Sequence, residues 1–264
     1  MAFCFGEKEP SIRSLFLGEL SRKVRKMHIP DGYLGPPTYL SLYAACVPFW
    51  VAASAKVKKG LKSIQVPFLA LGAAFNFVIM MLNVPIPGGT TGHATGVPLV
   101  AILLGPWAAI ITSSIALAIQ ALLFGDGGIM SLGANCFNMS IVGALVGYYL
   151  YRLFSWNSRE DSKRRLAAAG LASYIAVNLG ALLTAVEVGI QPLLHVGPDG
   201  RPLYSPFPLQ ITIPGIMIQH LAIFSFIEVV VTVLAMIYFQ RSHPELLKGA
   251  ISGSGQKVEP EGQP

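Results

Sequence analysis

Charge is what this sequence has least of. Only 12% of its 264 residues are Asp, Glu, Lys or Arg, while 53% are hydrophobic. A soluble domain carries about 25% charged residues, so the chain is read as built for a lipid solvent. Cysteine is scarce too: Cys4, Cys46 and Cys136 lie far apart and form no C-x-x-C pair, which excludes a disulfide framework and a zinc site of the usual spacing. Cys46 and Cys136 read as small apolar packing residues. The chain has no G-x-x-x-x-G-K-[ST] phosphate loop, no H-E-x-x-H, no G-x-S-x-G and no pair of intramembrane aspartates. ATP hydrolysis and the common hydrolytic chemistries are therefore not its own. The N-terminus lacks a signal peptide's order, because its one short apolar stretch, SLFLGEL, precedes the main basic cluster.

What is present is a series of apolar runs, at roughly 38–55, 64–83, 95–105, 107–124, 133–153, 166–188 and 213–240. The net charge of +6 sits in short segments between them, a pattern of membrane orientation rather than of nucleic-acid binding. Lys56, Lys58, Lys59 and Lys62 mark one cytoplasmic linker; Arg152, Arg159, Lys163, Arg164 and Arg165 mark another. An even number of crossings must separate them, so the short run 95–105, which Gly105-Pro106 breaks from the next, counts as a crossing of its own. The expectation is an all-α polytopic membrane protein of about seven transmembrane helices. Residue 27 then lies outside and the C-terminus in the cytoplasm. Residues 1–26 form a basic extension, 27–245 the membrane domain and 246–264 a disordered cytoplasmic tail. The outer segments 84–94 and 189–212 are rich in Gly and Pro, and non-helical backbone at membrane depth needs protein cover or a cavity.

Met27-His28-Ile29-Pro30-Asp31-Gly32 has the look of a chain start placed inside a chain. With a free amine at Met27, that amine, the His28 amide nitrogen and the His28 imidazole Nδ1 close five- and six-membered chelate rings on one metal. A square-planar nitrogen set favours Ni(II) and Cu(II) over Mg(II) or Ca(II). The fourth nitrogen has few sources: His93, flanked by glycines on the same outer side, His220 in the last run, and the less favoured His195 and His243. As an internal dipeptide, Met27-His28 has no amine to offer and is ordinary.

Read from Met27, the chain resembles the membrane-embedded substrate-binding component of energy-coupling-factor (ECF) cobalt/nickel transporters, the CbiM/NikM family. MHIPDGYL at 27–34, PGGTTGHATG at 87–96, LGANCFNM at 132–139, LLTAVEVGIQP at 182–192 and IPGIMIQHLAIFSFIE at 213–228 carry the resemblance. It implies the ECF substrate-specificity-component fold in a prokaryotic cell membrane, and capture of Co(II) or Ni(II) outside for ATP-driven uptake. It implies no permanently bound cofactor, the ion being the transported ligand. Implied partners are ECF ATPase subunits, a membrane coupling (T) subunit and a small accessory membrane protein. Its metal ligands fall on Met27, His28 and His93.

Supporting roles fall on further matched positions. Asp31 either fixes the His28 imidazole or terminal turn, or simply makes the turn before Gly32. Asn135 and Asn138 either brace the N-terminal segment or cap a helix. Glu187, Gln219, His220 and Glu228 form either a polar network or, for Glu228 above all, interhelical packing. The extension 1–26 departs from the family; Lys8, Arg13, Arg22, Lys23, Arg25 and Lys26 outnumber Glu7, Glu9 and Glu19, which disfavours an outside location. Translation beginning at Met27 removes the conflict. The alternative function keeps the transport component and changes its cargo to another small substrate, such as a vitamin.

Overall fold

The computed structural model describes residues 28–60, 66–86, 90–159 and 161–243. The expectations placed on Met27, on the extension 1–26 and on the tail 246–264 lie outside them. Seven helical rods follow in order among the described residues. They are α1 Pro36–Gly60, α2 Val66–Met81, α3 Val97–Leu104, α4 Pro106–Leu123, then α5 to α7. α5 joins Leu132–Asn135, a π-wound Cys136–Val142 and Gly143–Phe154. α6 is Lys163–Gly189, extended by one turn at Gln191–Leu194. α7 joins Leu209–Gln219, a π-wound His220–Phe224 and Ser225–Ser242.

Four rods are long and apolar enough to cross a membrane: Pro36–Lys59, Pro106–Leu123, Lys163–Leu194 and Leu209–Ser242. α3 is not. Eight residues at about 1.5 Å each make about 12 Å of helix, well short of a hydrocarbon core of about 30 Å. Gly105, at φ 87°, and Pro106 separate α3 from α4, since glycine accepts the positive φ and proline suits the first helical turn.

The all-α expectation is departed from at one point. Asn83–Ile86 (β1) and Thr90–His93 (β2) pair antiparallel, with Asn83 opposite His93 and Val84 opposite Gly92. Residues 91–102 are all buried, and buried backbone must find hydrogen-bond partners. Pairing supplies them where the Gly- and Pro-rich sequence does not form helix.

α3, α5 and α7 pack against α6, whose buried stripe includes the small residues Ala169, Ala172, Ser173, Ala176, Gly180 and Ala185. Without a hydrophobic drive between helices in lipid, small residues allow the close approach that holds them together. α2 buries only Gly72, Asn76 and Met80, a spacing of one helical face. Cys46 and Cys136 are free and buried in the core. Large apolar side chains such as Leu71, Val78, Leu122, Ile218 and Leu234 face outward, as a lipid solvent requires.

Candidate functional site

Two non-helical arms meet at one end of the bundle. The first, residues 28–35, is laced to its surroundings through its backbone. Ile29 N–H donates to Asn135 Oδ1 at 3.0 Å, and Asn135 Nδ2 donates to Ile29 O at 3.2 Å. Gly128 N–H donates to the same carbonyl at 3.0 Å. Ser131 Oγ donates to Pro30 O, Ser205 N–H to Tyr33 O, and Gly35 N–H to Gln191 Oε1. Asp31 does not reach His28. Its carboxylate accepts from the amides of Ile129, Met130 and Ser131 at 3.1, 2.8 and 3.4 Å, in the turn that leads into α5. The lacing holds His28 at φ 60°, in a region a non-glycine residue seldom occupies and that recurs at functional sites.

The second arm is β2 with residues 94–96. Glu228 of α7 accepts from Thr95 N–H at 2.6 Å and from Gly96 N–H at 3.0 and 3.1 Å. Glu228 is fully buried, and these amides open α3, where a carboxylate is favoured. Asn76 Nδ2 donates to Thr95 O at 2.9 Å. Gly92 leaves room for the Phe224 ring, which a Cβ there would strike.

The arms bring His28 and His93 into contact, both buried, with ring centroids 4.7 Å apart and planes at 83°. His28 Nε2 lies 3.1 Å from Gln120 Oε1, and His93 Nδ1 lies 3.1 Å from Ala94 O. Those oxygens only accept, so the network assigns the ring protons to His28 Nε2 and His93 Nδ1. The remaining nitrogens, His28 Nδ1 and His93 Nε2, lie 3.1 Å apart, and a proton on either makes this contact a hydrogen bond. Imidazole nitrogens sit about 2.0–2.1 Å from a first-row metal, so two at right angles are about 2.9 Å apart. Burial lowers the His28 pKa from 6.5 to about 4, against the raising effect of Gln120. Burial, then the neighbouring His28 charge, lowers that of His93 well below its usual value. Both rings are therefore neutral at physiological pH, the form that ligates metals.

Among the described residues no group of three or more His, Cys, Asp or Glu side chains could hold a metal ion. Two imidazoles alone fall short of the four ligands that a tetrahedral or square-planar site needs. His28 and His93 also line a cavity of about 50 Å³ with Asn135, Asn138, Thr184 and His220. Asn138 joins α5 to α6, its Nδ2 donating to Glu187 Oε2 at 2.8 Å and Thr184 Oγ1 at 3.1 Å. Gln219 is half-buried at the end of the first part of α7 and, like Glu187, is not among the cavity-lining residues. His195 packs on Gly35 and Tyr204, and His243 follows α7 near Tyr238; neither lines the cavity. The sequence reading missed Gln120 and Asn76, whose signal was a lone amide in an otherwise apolar helix, and for Glu228 it favoured packing over a polar network.

A family model described as the cobalt uptake substrate-specific transmembrane region, CbiM, matches residues 28–246. The chain is 51% identical over 221 residues to the fused nickel transport protein NikMN of Rhodobacter capsulatus, covering 84% of this chain. It spans 64% of that relative's length. It is 39% identical to a putative metal transport protein of Methanocaldococcus jannaschii, covering 83% of this chain and 94% of that one. A crystal structure of a truncated transition metal transporter is similar at a TM-score of 0.76 and 48% identity, covering 81% of this chain and 97% of that chain.

Proposed function

The chain belongs to the CbiM family of cobalt uptake substrate-specific transmembrane regions, and from that premise we propose that it captures Ni(II) or Co(II) outside the cell membrane for ATP-driven import. The observation that carries this reading is the meeting of two buried imidazoles, with His28 Nδ1 and His93 Nε2 3.1 Å apart. The α-amine of Met27 and the His28 amide nitrogen complete a four-nitrogen set, in which Met27 is the mature N-terminus. Loss of protons from the amine and amide on binding makes affinity fall with pH.

The family relationship supports a substrate-binding component that works with separate ATPase subunits, a membrane coupling subunit and a small accessory membrane protein. Seven crossings, with residue 27 outside and the C-terminus inside, follow from the charge of the two basic linkers. A vitamin cargo is not supported: the relatives' names refer to metals, and a cavity of about 50 Å³ falls far below the roughly 300–1,000 Å³ of organic-ligand pockets.

The test is equilibrium binding of Ni(II) and Co(II) to the full chain in detergent, with His28→Ala and His93→Ala as controls and N-terminal sequencing of the natively expressed protein. Tight binding lost in both variants, with a chain beginning at Met27, is the expected result. Tight binding that survives both substitutions rejects the site, and a mature chain beginning at Met1 rejects the amine ligand.

A further inference from the structure

Asp126 is a buried carboxylate that the site above does not use. The loop after α4 dips inward at Asp126, Gly127 and Gly128, whereas residues 122–125 before them and 129–130 after them are exposed. Burying a carboxylate is costly unless a cation or hydrogen-bond donors face it, so the place of Asp126 asks for such a group.

Register says where Asp126 stands. The loop runs beside the 28–35 arm in the same direction. Gly127 lies against His28, where a Cβ would stand 3.4 Å from His28 Cβ and Cδ2. Gly128 N–H donates to Ile29 O at 3.0 Å, and the amides of Ile129 and Met130 donate to the Asp31 carboxylate. Each step along the loop thus meets a later part of the arm. The backbone of Asp126 is fixed as well, its N–H donating to Gln120 O at 2.9 Å. The side chain of the same Gln120 holds His28 Nε2, so one residue of α4 ties Asp126 and the ligand His28 together.

Resting on the metal-capture reading, we infer that Asp126 stands opposite position 27, one step back along both segments, and is the positioning residue for the terminal amine. An amine that gives its lone pair to a metal keeps two N–H donors. The Asp126 carboxylate accepts from one of them and so aims the lone pair, as supporting partners do for ligating imidazoles. It also balances charge. A divalent ion held by two neutral imidazoles, a neutral amine and one deprotonated amide leaves a net charge of about +1 in a buried site, which is costly without a counter-charge. Asp126 acts from behind the amine and not as a ligand, since no group of three or more His, Cys, Asp or Glu among the described residues could hold the ion directly.

Two measurements on the natively expressed chain in detergent test this: Ni(II) affinity by isothermal titration, and the nitrogen-15 spectrum of the metal-free chain labelled at its methionine nitrogens. In that spectrum a terminal Met27 gives an amine signal apart from the peptide amides. Asp126→Asn should weaken Ni(II) binding by about 10- to 100-fold, the scale of supporting residues at metal sites, and should shift the amine signal. Asp126→Glu, which keeps a charged acceptor, should recover part of the affinity. Affinity within about threefold of the wild type in Asp126→Asn overturns the proposal. So does lost affinity with an unmoved amine signal, which would make Asp126 merely structural. Where Asp126→Asn does not fold, Asp126→Glu carries the test, because a displaced carboxylate must still move the amine signal and an unmoved one overturns the proposal. A mature chain beginning at Met1 overturns the amine ligand and this role together. Tight binding that survives His28→Ala and His93→Ala instead rejects the metal-capture reading, whereas binding lost in both but indifferent to Asp126→Asn rejects the role of Asp126 alone.

Discussion

The two arms that bring His28 and His93 together are held in opposite ways. The 28–35 arm is secured at almost every residue, by Gln120, Asn135, Gly128, Ser131, Ser205 and Gln191, with Asp31 tying it to the start of α5. The 90–96 arm hangs mainly on one carboxylate, Glu228, with Asn76 and the β1 pairing beside it. The difference teaches that distributed backbone lacing can hold a strained residue such as His28, at φ 60°. A single buried carboxylate suffices where β pairing and the start of a helix already shape the chain.

Removing a ligand should have the largest effect, and it should be equal on the two arms. His28→Ala and His93→Ala are each expected to weaken Ni(II) binding by more than about 100-fold, beyond the range of supporting residues, as measured by isothermal titration. A clear inequality would break the symmetry of the pair.

The arms should separate next. Glu228→Leu leaves the Thr95 and Gly96 amides buried without their acceptor, at about 1–3 kcal/mol each. Asn135→Leu removes two hydrogen bonds, but Ile29 O keeps Gly128 N–H, so only the Ile29 amide loses its partner, at about 1–3 kcal/mol in total. Thermal unfolding in detergent should therefore show the larger drop for Glu228→Leu; the reverse order would refute the contrast. Glu228→Gln, which keeps an acceptor, should recover part of the loss.

A packing change sharpens the comparison further. Gly92→Ala places a methyl group against the Phe224 ring, and overpacking typically costs about 1–3 kcal/mol. Phe224→Leu in the same chain should restore much of the stability and the Ni(II) affinity. No rescue would mean that Gly92 matters for its backbone and not for space.

The last expected effect is on pH. Burial holds the His28 pKa at about 4, against 6.5 ordinarily, so between those values the unfolded chain binds more protons than the folded one. Stability from this group is complete above pH 6.5 and is lost progressively as pH falls toward 4. A melting profile of the metal-free protein should be flat above pH 6.5 and decline below it. His28→Phe should shallow that decline, and an unchanged slope would assign the acid sensitivity elsewhere.

The candidate ligands were legible because their chemistry is local. A Met-His pair and a histidine set among glycines offer nitrogen donors without any knowledge of the fold, a chelate only if Met27 carries a free amine. Gly105-Pro106 likewise announced the break between α3 and α4. Asp31 was legible only as a set of options, and its partners proved to be amides at 129–131. Gln120 and Glu228 were hidden because their partners lie 92 and about 133 residues away. An amide or carboxylate in an apolar helix signals that it needs a partner, not which one.

The sequence by itself determined the lipid-solvated helical segments, the basic linkers between them and the residue types able to bind a transition metal, because hydropathy, turn chemistry and chelate-ring size act over a few residues. Only the tertiary structure decided that His28 Nδ1 and His93 Nε2 are the nitrogens left facing each other. Ring tautomers are set by what each other nitrogen meets, and Gln120 reaches His28 only once α4 has packed at a particular rotation and depth against the N-terminal arm.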